Sequence, residues 1–425
     1  MSKKFLNFST SKESLKAFIL LLNAFVWFFM SSMIIIPSIL ESSNFDSMEI
    51  LLLTSYYLAI ITSGIIGSIL SSKTNRFTFI YSWILLGIII SLLPFLFSTY
   101  TFQITLVICI SLGASLGLGM PACLAYFADS TTDENRGKTG GLTFLFSSLV
   151  GGLLFGLIGS SNLSTILIIF AAWRSTSLIV FFFKETEKKI LSERKKNSSF
   201  VSVIKDKSFL LFFAAWLMFC FIDRFEDPIQ QTALKFSYEI IGSIGPIIGS
   251  IAGFIGGMFA DRIGRKRILL YTFVTMGVAY AINGFFPAPE VIISPSGVIE
   301  VLGLQFLNVI TLSILYISAG ILWVLFILVL WGDLAKFVTS EKYFAIGIIP
   351  FFLTNIVNLF SAEYFKFMDL TRAFSLAAFF LFVAVLPLWI SPETLPQKKI
   401  EIRRLRNFAD EAKRLREKFE NKKIS

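Results

Sequence analysis

Within a long apolar stretch, Asp223-Arg224-Phe225-Glu226-Asp227-Pro228 sets four ionisable side chains within five positions. On a helix turning about 100° per residue, Asp223, Glu226, Asp227 and Gln230 fall within an arc of about 100°, with Arg224 at its edge. An ionisable group near the centre of a bilayer costs roughly 2.5 to 3.5 kcal/mol, so such a face normally meets a wet cavity or a partner. Three carboxylates this close coexist only with compensating cations or a bound proton, and the cluster reads as a solute or proton-coupling site. Glu226 and Asp227 have a second reading, at the outer mouth of the span, solvated or paired with Lys235. Arg174 is the other charge within an apolar segment. The spans of its own half offer no carboxylate, so it needs one from across the bundle, an anionic solute, or a route for its head to the interface.

The sequence carries little material for covalent chemistry. Histidine is absent, which removes the commonest general base and metal ligand. Cys109, Cys123 and Cys220 all lie inside apolar segments, so neither a disulfide framework nor a metal cluster is expected, and no cofactor. A G-x-x-x-x-G-K-[ST] loop and an insert large enough for a nucleotide domain are both missing, which argues against a primary pump. An enzyme would need a catalytic constellation, and the sequence offers none.

The charged clusters sit in a chain built for lipid. Its 425 residues are 55% hydrophobic and 16% charged, with a mean hydropathy of +0.76, far too apolar for a soluble protein of this size. Apolar segments of about 20 residues recur at 17–40, 48–70, 77–97, 102–127, 140–160, 163–183, 208–231, 239–260, 267–286, 304–331, 343–362 and 371–391, predicting twelve membrane helices. The net charge of +10 is sorted by loop rather than gathered into a nucleic-acid footprint. With both termini cytoplasmic, inside segments hold 33 of the 38 Lys and Arg, whereas the outer segments 41–49 and 287–303 hold none, as the positive-inside rule requires. Span 1 is too long for a signal-peptide core and is expected to remain as an anchor. The expectation is a monomeric multi-pass protein of the cell membrane, with lipids and a small-molecule solute as partners, protons among them if transport is coupled, and no nucleic acid.

Three features of the first half return in the second. Gly67–Arg76 matches Gly257–Lys266 at an offset of 190, Ala128-Asp129 matches Gly332-Asp333 at 204, and Lys184-Glu185-Thr186 matches Pro392-Glu393-Thr394 at 208. Most of the growth falls in the outer loop 287–303. The chain thus reads as an N-terminal six-helix bundle over 1–183, a basic connector over 184–207, a C-terminal bundle over 208–396 and a charged tail over 397–425. In the tail, Ile402, Leu405, Phe408, Ala412, Leu415 and Phe419 recur at helical spacing, an amphipathic pattern suited to anionic headgroups. Small residues recur every four positions at Gly245, Gly249, Gly253 and Gly257, and again at Ser148, Gly152, Gly156 and Ser160; such stripes let two helix backbones approach closely in lipid. Asp261 would then face the positively polarised helix start near Gly140 and Gly141, with Arg136 or Arg265 adding charge-assisted hydrogen bonds, as a latch between the halves.

Residues 256–267 read GGMFADRIGRKR, and here the chain resembles the major facilitator superfamily. Gly257, Asp261, Arg262, Gly264, Arg265 and Lys266 match the signature G-x-x-x-D-R-x-G-R-[KR] at every defined position. The segment 112–138, which includes Asp129 and Arg136, is similar to the family's glycine-rich fourth span and the loop after it, and Pro392-Glu393-Thr394 to a motif at the end of the twelfth. The first-half copy departs from the pattern. Ser71 stands where the Asp should be, Thr74 replaces the second Gly and only Arg76 is clearly retained, so a weaker N-terminal latch is expected. Cys109 stands about where many proton-coupled drug antiporters carry an intramembrane Arg, which weakens that reading.

The resemblance implies an all-α integral membrane fold of twelve helices in two pseudo-symmetric six-helix bundles, with spans 1, 4, 7 and 10 and their neighbours around a central cavity. On those spans Asn23, Trp27, Tyr316 and Asn355 join Asp223, Arg224, Glu226, Asp227 and Arg174 as candidate solute or coupling residues. The resemblance also puts span 6 at the periphery, which favours snorkelling for Arg174. The implied function is secondary active transport of a small solute by alternating access, coupled to protons through Asp223 or its neighbours, or else uncoupled facilitation. A receptor or assembly protein on the same scaffold is the alternative outside transport. The acidic face suits cations, sugars or zwitterions, whereas Arg174 and Arg224 leave room for organic anions.

Overall fold

The computed structural model describes residues 12–43, 48–182, 199–233, 235–286, 297–335, 338–365, 368–395 and 405. Among them, twelve helices are long and apolar enough to cross a membrane: α1 (Lys12–Glu41), α2 (Glu49–Lys73), α3 (Arg76–Leu96), α4 (Phe102–Ser130), α5 (Arg136–Ile158), α6 (Leu163–Phe182), α7 (Lys207–Gln230), α8 (Ile241–Ile263), α9 (Arg265–Phe285), α10 (Phe306–Leu334), α11 (Glu341–Ser361) and α12 (Leu370–Ile390). Their starts are written locally. Side chains of Asn75, Thr101, Asn162 and Asp369 accept backbone N–H groups at the first turns of α3, α4, α6 and α12, partners those orphan donors need where water is scarce.

The helices pack by the same rule twice. In the first half α2 lies along α4, α1 contacts α5 and α6, and α3 contacts α4 and α6; in the second, α8 lies along α10, α7 contacts α11 and α12, and α9 contacts α10 and α12. The halves meet through α5 against α8 and α10, and through α2 and α4 against α11. Two π-helical segments interrupt the regular helices, Ser31–Ile35 in α1 and Val324–Leu330 in α10. The outer loop 287–296, the connector residues 183–198 with Lys184-Glu185-Thr186, and the amphipathic tail apart from Leu405 lie outside the described residues.

The glycine stripes pack differently from expectation. A methyl at Gly257 would strike the carbonyl of Gly137, so α5 and α8 do touch backbone to backbone. Higher on α8, however, Gly245 and Gly249 face Tyr316 and Gly253 faces Gly320, all on α10, while nothing among the described residues lies within 4 Å of a methyl placed at Gly152 or Gly156. The stripe on α8 therefore serves its own half, and α5 has left α8 by the level of Gly152. The crossing that brings Gly137 to Gly257 opens with distance along the helices, a divergence that i+4 spacing does not encode.

Adding a methyl where two backbones touch forces a shift costing about 1 to 3 kcal/mol. Gly320→Ala, which drives its methyl into the Gly249 carbonyl, should lower the unfolding temperature of the detergent-solubilised protein. Gly156→Ala should leave it unchanged or slightly raised.

Candidate functional site

A cavity of about 390 Å³ lies between the halves, with walls from α1, α2, α5 and α7 to α11. Aromatic rings are prominent in its wall: Phe28 of α1 meets Phe351 and Phe352 of α11 with ring centres 6.3 and 5.9 Å apart, and Trp323 of α10 stands edge-on to Phe351 at 4.9 Å. Both π segments contribute to the wall, through Ser32 and Met33 and through Ile327 and Leu328. Widened turns of this kind re-aim side chains and are frequent at functional sites.

The structure divides the sequence candidates into two groups. Asp223, Arg224, Tyr316 and Asn355 line the cavity, together with Gln230 and Trp323. Arg224 Nη2 pairs with Asp223 Oδ2 at 3.0 Å, and its guanidinium lies 5.2 Å from the Phe351 ring centre. Gln230 Nε2 donates to the Tyr280 hydroxyl at 3.2 Å. Glu226 is not a solvated residue at the mouth of its span, because it is 5% exposed and its Oε2 has no hydrogen-bond partner among the described residues. The side chains of Asp227 and Lys235 lie outside the described residues.

Asn23, Trp27 and Arg174 come together, but away from the cavity wall, in the core of the first half. Arg174 is fully buried, its guanidinium carbon 4.3 Å from the Trp27 ring centre and 4.1 Å from that of Trp83. Nη1 donates to Asn23 Oδ1 at 2.9 Å, and Asn23 Nδ2 donates back to the Trp173 carbonyl at 2.6 Å. Gly87 leaves the gap that the guanidinium fills, since a methyl there would lie 2.8 Å from Nε. Snorkelling is therefore overturned: two indole faces stabilise the cation inside the bundle. The i, i+4 spacing of Asn23 and Trp27 identified one helix face correctly but not its neighbours, which are α3 and α6.

At the end where loops α2–α3, α4–α5, α8–α9 and α10–α11 gather, the halves are tied by ions. Asp261 accepts backbone N–H groups of Gly137 at 2.9 Å and Lys138 at 2.7 Å, one turn earlier on α5 than Gly140 and Gly141, and pairs with Arg265 at 2.9 Å. Arg136 bonds Asp333, not Asp261, and Arg265 Nε meets the other oxygen of Asp333 at 2.9 Å. Arg265 Nη2 also reaches the Asp133 carbonyl at 2.6 Å. Gly264 adopts φ +121°, a conformation suited to glycine, and lets Glu393 accept from the backbone of Arg265 at 2.9 Å and of Lys266 at 3.2 Å. Arg262 is exposed.

Sequence reasoning missed Glu341. Arg76 pairs with Asp129 at 2.7 Å, and its Nε donates to Glu341 Oε1 of α11 at 3.0 Å. The first-half copy of the motif, lacking an Asp at Ser71, thus adds a carboxylate from the opposite half to Asp129 of its own. The signal was an acid at the start of a helix beginning Ser340-Glu341, visible only once α11 is known to begin beside Arg76.

Comparison with known proteins adds three findings. The model of the Major Facilitator Superfamily matches residues 17–332. The fold is similar to that of the human organic anion transporter MFSD10 (TETRAN), with a TM-score of 0.63 and 13% identity over 89% of this chain and 99% of that one. It is also similar to the proton:xylose symporter XylE bound to 6-bromo-6-deoxy-D-glucose, with a TM-score of 0.61 and 14% identity over 90% and 96%. No curated protein matches the sequence at a significant level.

Asp333 is shared by two buried guanidinium groups and the Thr394 hydroxyl. Its replacement by Asn leaves buried charge uncompensated, and should cost about 3 to 5 kcal/mol in denaturant unfolding. Arg267→Ala at an exposed site nearby should stay within about 0.5 kcal/mol.

Proposed function

Because the chain belongs to the major facilitator superfamily, a family of membrane transporters, we propose that it is a secondary active transporter of a small organic solute, working by alternating access and driven by protons taken up at Glu226. The carrying observation is the central cavity between two halves that, among the described residues, are ion-paired at one end only. A cavity sealed on one side between two rigid packing units is what a rocking mechanism needs. The ion-paired end is the one where Lys and Arg gather in the sequence, so the positive-inside rule makes it cytoplasmic, with both termini there. The conformation described here is then closed to the cytoplasm. The sequence divides accordingly, into bundles over 1–183 and 208–396 on either side of the connector, and the host is the cell membrane.

Glu226 is favoured over Asp223 for the proton. Asp223 already has Arg224 as counter-ion, whereas Glu226 is buried, its Oε2 has no partner among the described residues, and it lies one helical turn from Gln230 on the cavity wall. Gain or loss of a proton there changes the local charge with no ion paired to it among the described residues, and that imbalance couples protonation to the exposure of α7.

Glu226→Gln fixes the charge at zero. In proteoliposomes it should abolish accumulation driven by a pH gradient while sparing solute exchange; unchanged accumulation would instead mark an uncoupled facilitator or a different proton site. Asp261→Asn weakens the cytoplasmic seal. Spin labels across α5 and α8 at that end should then report a larger population of long distances, and a distribution identical to that of the unaltered protein would remove Asp261 from the gating mechanism.

A further inference from the structure

We propose that the solute is an organic monoanion with a flat apolar body, whose carboxylate or sulfonate is held by Arg224; this rests on the transporter reading above. Among the described residues that line the cavity Arg224 is the sole Lys or Arg, and Asp223 the sole acid. They neutralise one another through the contact of Nη2 with Oδ2 at 3.0 Å. What remains is donor capacity: Arg224 Nε is buried and has no acceptor among the described residues. An incoming carboxylate that bonds Nε satisfies that donor with a charge-assisted bond, the type guanidinium makes most strongly.

The other solute classes fit less well. An organic cation would have to compete with Arg224 for Asp223. A sugar needs many free polar partners, yet Gln230 Nε2 is engaged by Tyr280 and Asn355 Nδ2 by the Phe351 carbonyl at 2.7 Å. A polyol buried there would leave its own hydroxyls unpaired, at a cost in affinity for each. By contrast Phe28, Tyr57, Phe144, Tyr316, Trp323 and Phe351 supply ring faces and edges for an apolar body. The volume of about 390 Å³ lies towards the small end of ligand pockets. Charge also balances: the anion brings one negative charge beside a neutral pair, and a proton on Glu226 offsets it, so one anion and one proton cross together with no net charge moved.

The test uses one ring system with three head groups. Naphthoate, its uncharged amide and naphthylmethylammonium are titrated calorimetrically into the full-length detergent-solubilised protein. Naphthoate should bind on the order of tenfold more tightly than the amide, with the ammonium weakest. Arg224→Gln should erase the preference, and Asp223→Asn, which removes the internal competitor for the guanidinium, should tighten naphthoate binding. If Arg224→Gln does not fold, Arg224→Lys keeps the charge but loses the Nε donor and should still reduce the preference. Equal or better binding of the amide or the ammonium, a preference that survives loss of Arg224, or no binding of any of the three overturns the assignment. Spin-label distances across α5 and α8 separate the two failures: exchange between conformers without a preference for the anion rejects the substrate class and keeps the transporter, whereas a single fixed conformer rejects the transporter itself.

Discussion

The backbone contact between Gly137 and Gly257 is the constraint on which the rest of the ion-paired end depends. Only with no side chain on either residue do α5 and α8 come near enough for Asp261 to accept the first N–H groups of α5. That approach carries Arg136, at the head of the same helix, to Asp333, and Arg265 to the Asp133 carbonyl. A carboxylate at a helix start gains from both the orphan N–H groups and the helix dipole. In a medium that offers few other partners, this interaction fixes the angle at which the halves meet. The cavity follows from that angle, since helices joined at one level and diverging above it must enclose a space.

Three arginines show three ways of keeping a cation inside this bundle. Arg265 is fully buried among the carboxylates of Asp261 and Asp333. Arg174 is equally buried but rests between the faces of two indoles, held in plane by Asn23. Arg224 keeps one carboxylate and part of a cavity. Burial alone would have ranked Arg174 with Arg265. The partners distinguish them, two indole faces and an amide in one case and two carboxylates in the other, and Arg224 is the one of the three that lines the cavity.

The number of helices and the packing rule were legible in the sequence, because apolar runs of bilayer length and a repeated loop motif are local patterns. The backbone-capping chemistry of Asp261 could be read for the same reason, one turn away from its partners. Contacts set by three-dimensional neighbours could not. Helical spacing put Asn23 and Trp27 on one face without saying that α3 and α6 cover it, and it grouped Glu226 with Asp223 without revealing that, among the described residues, the cation Arg224 pairs with the latter. Glu341 was invisible because its partner, Arg76, is 265 positions away in the chain. The small residues of α8 suggested a close pairing with α5, whereas most of them turned out to serve α10.

The ties across the paired end are unlike in kind. Arg76 and Arg136 of the first half reach Glu341 and Asp333 of the second, while Asp261 is met by backbone N–H groups at the head of α5. Ion pairs are screened by salt, and beyond a Debye length of about 8 Å at physiological ionic strength two exposed charges largely cease to feel each other. In the transport cycle proposed above, re-closure then begins as a short-range event, and the ionic strength of the solution bathing that end sets how far apart Arg136 and Asp333 can drift before their attraction fades.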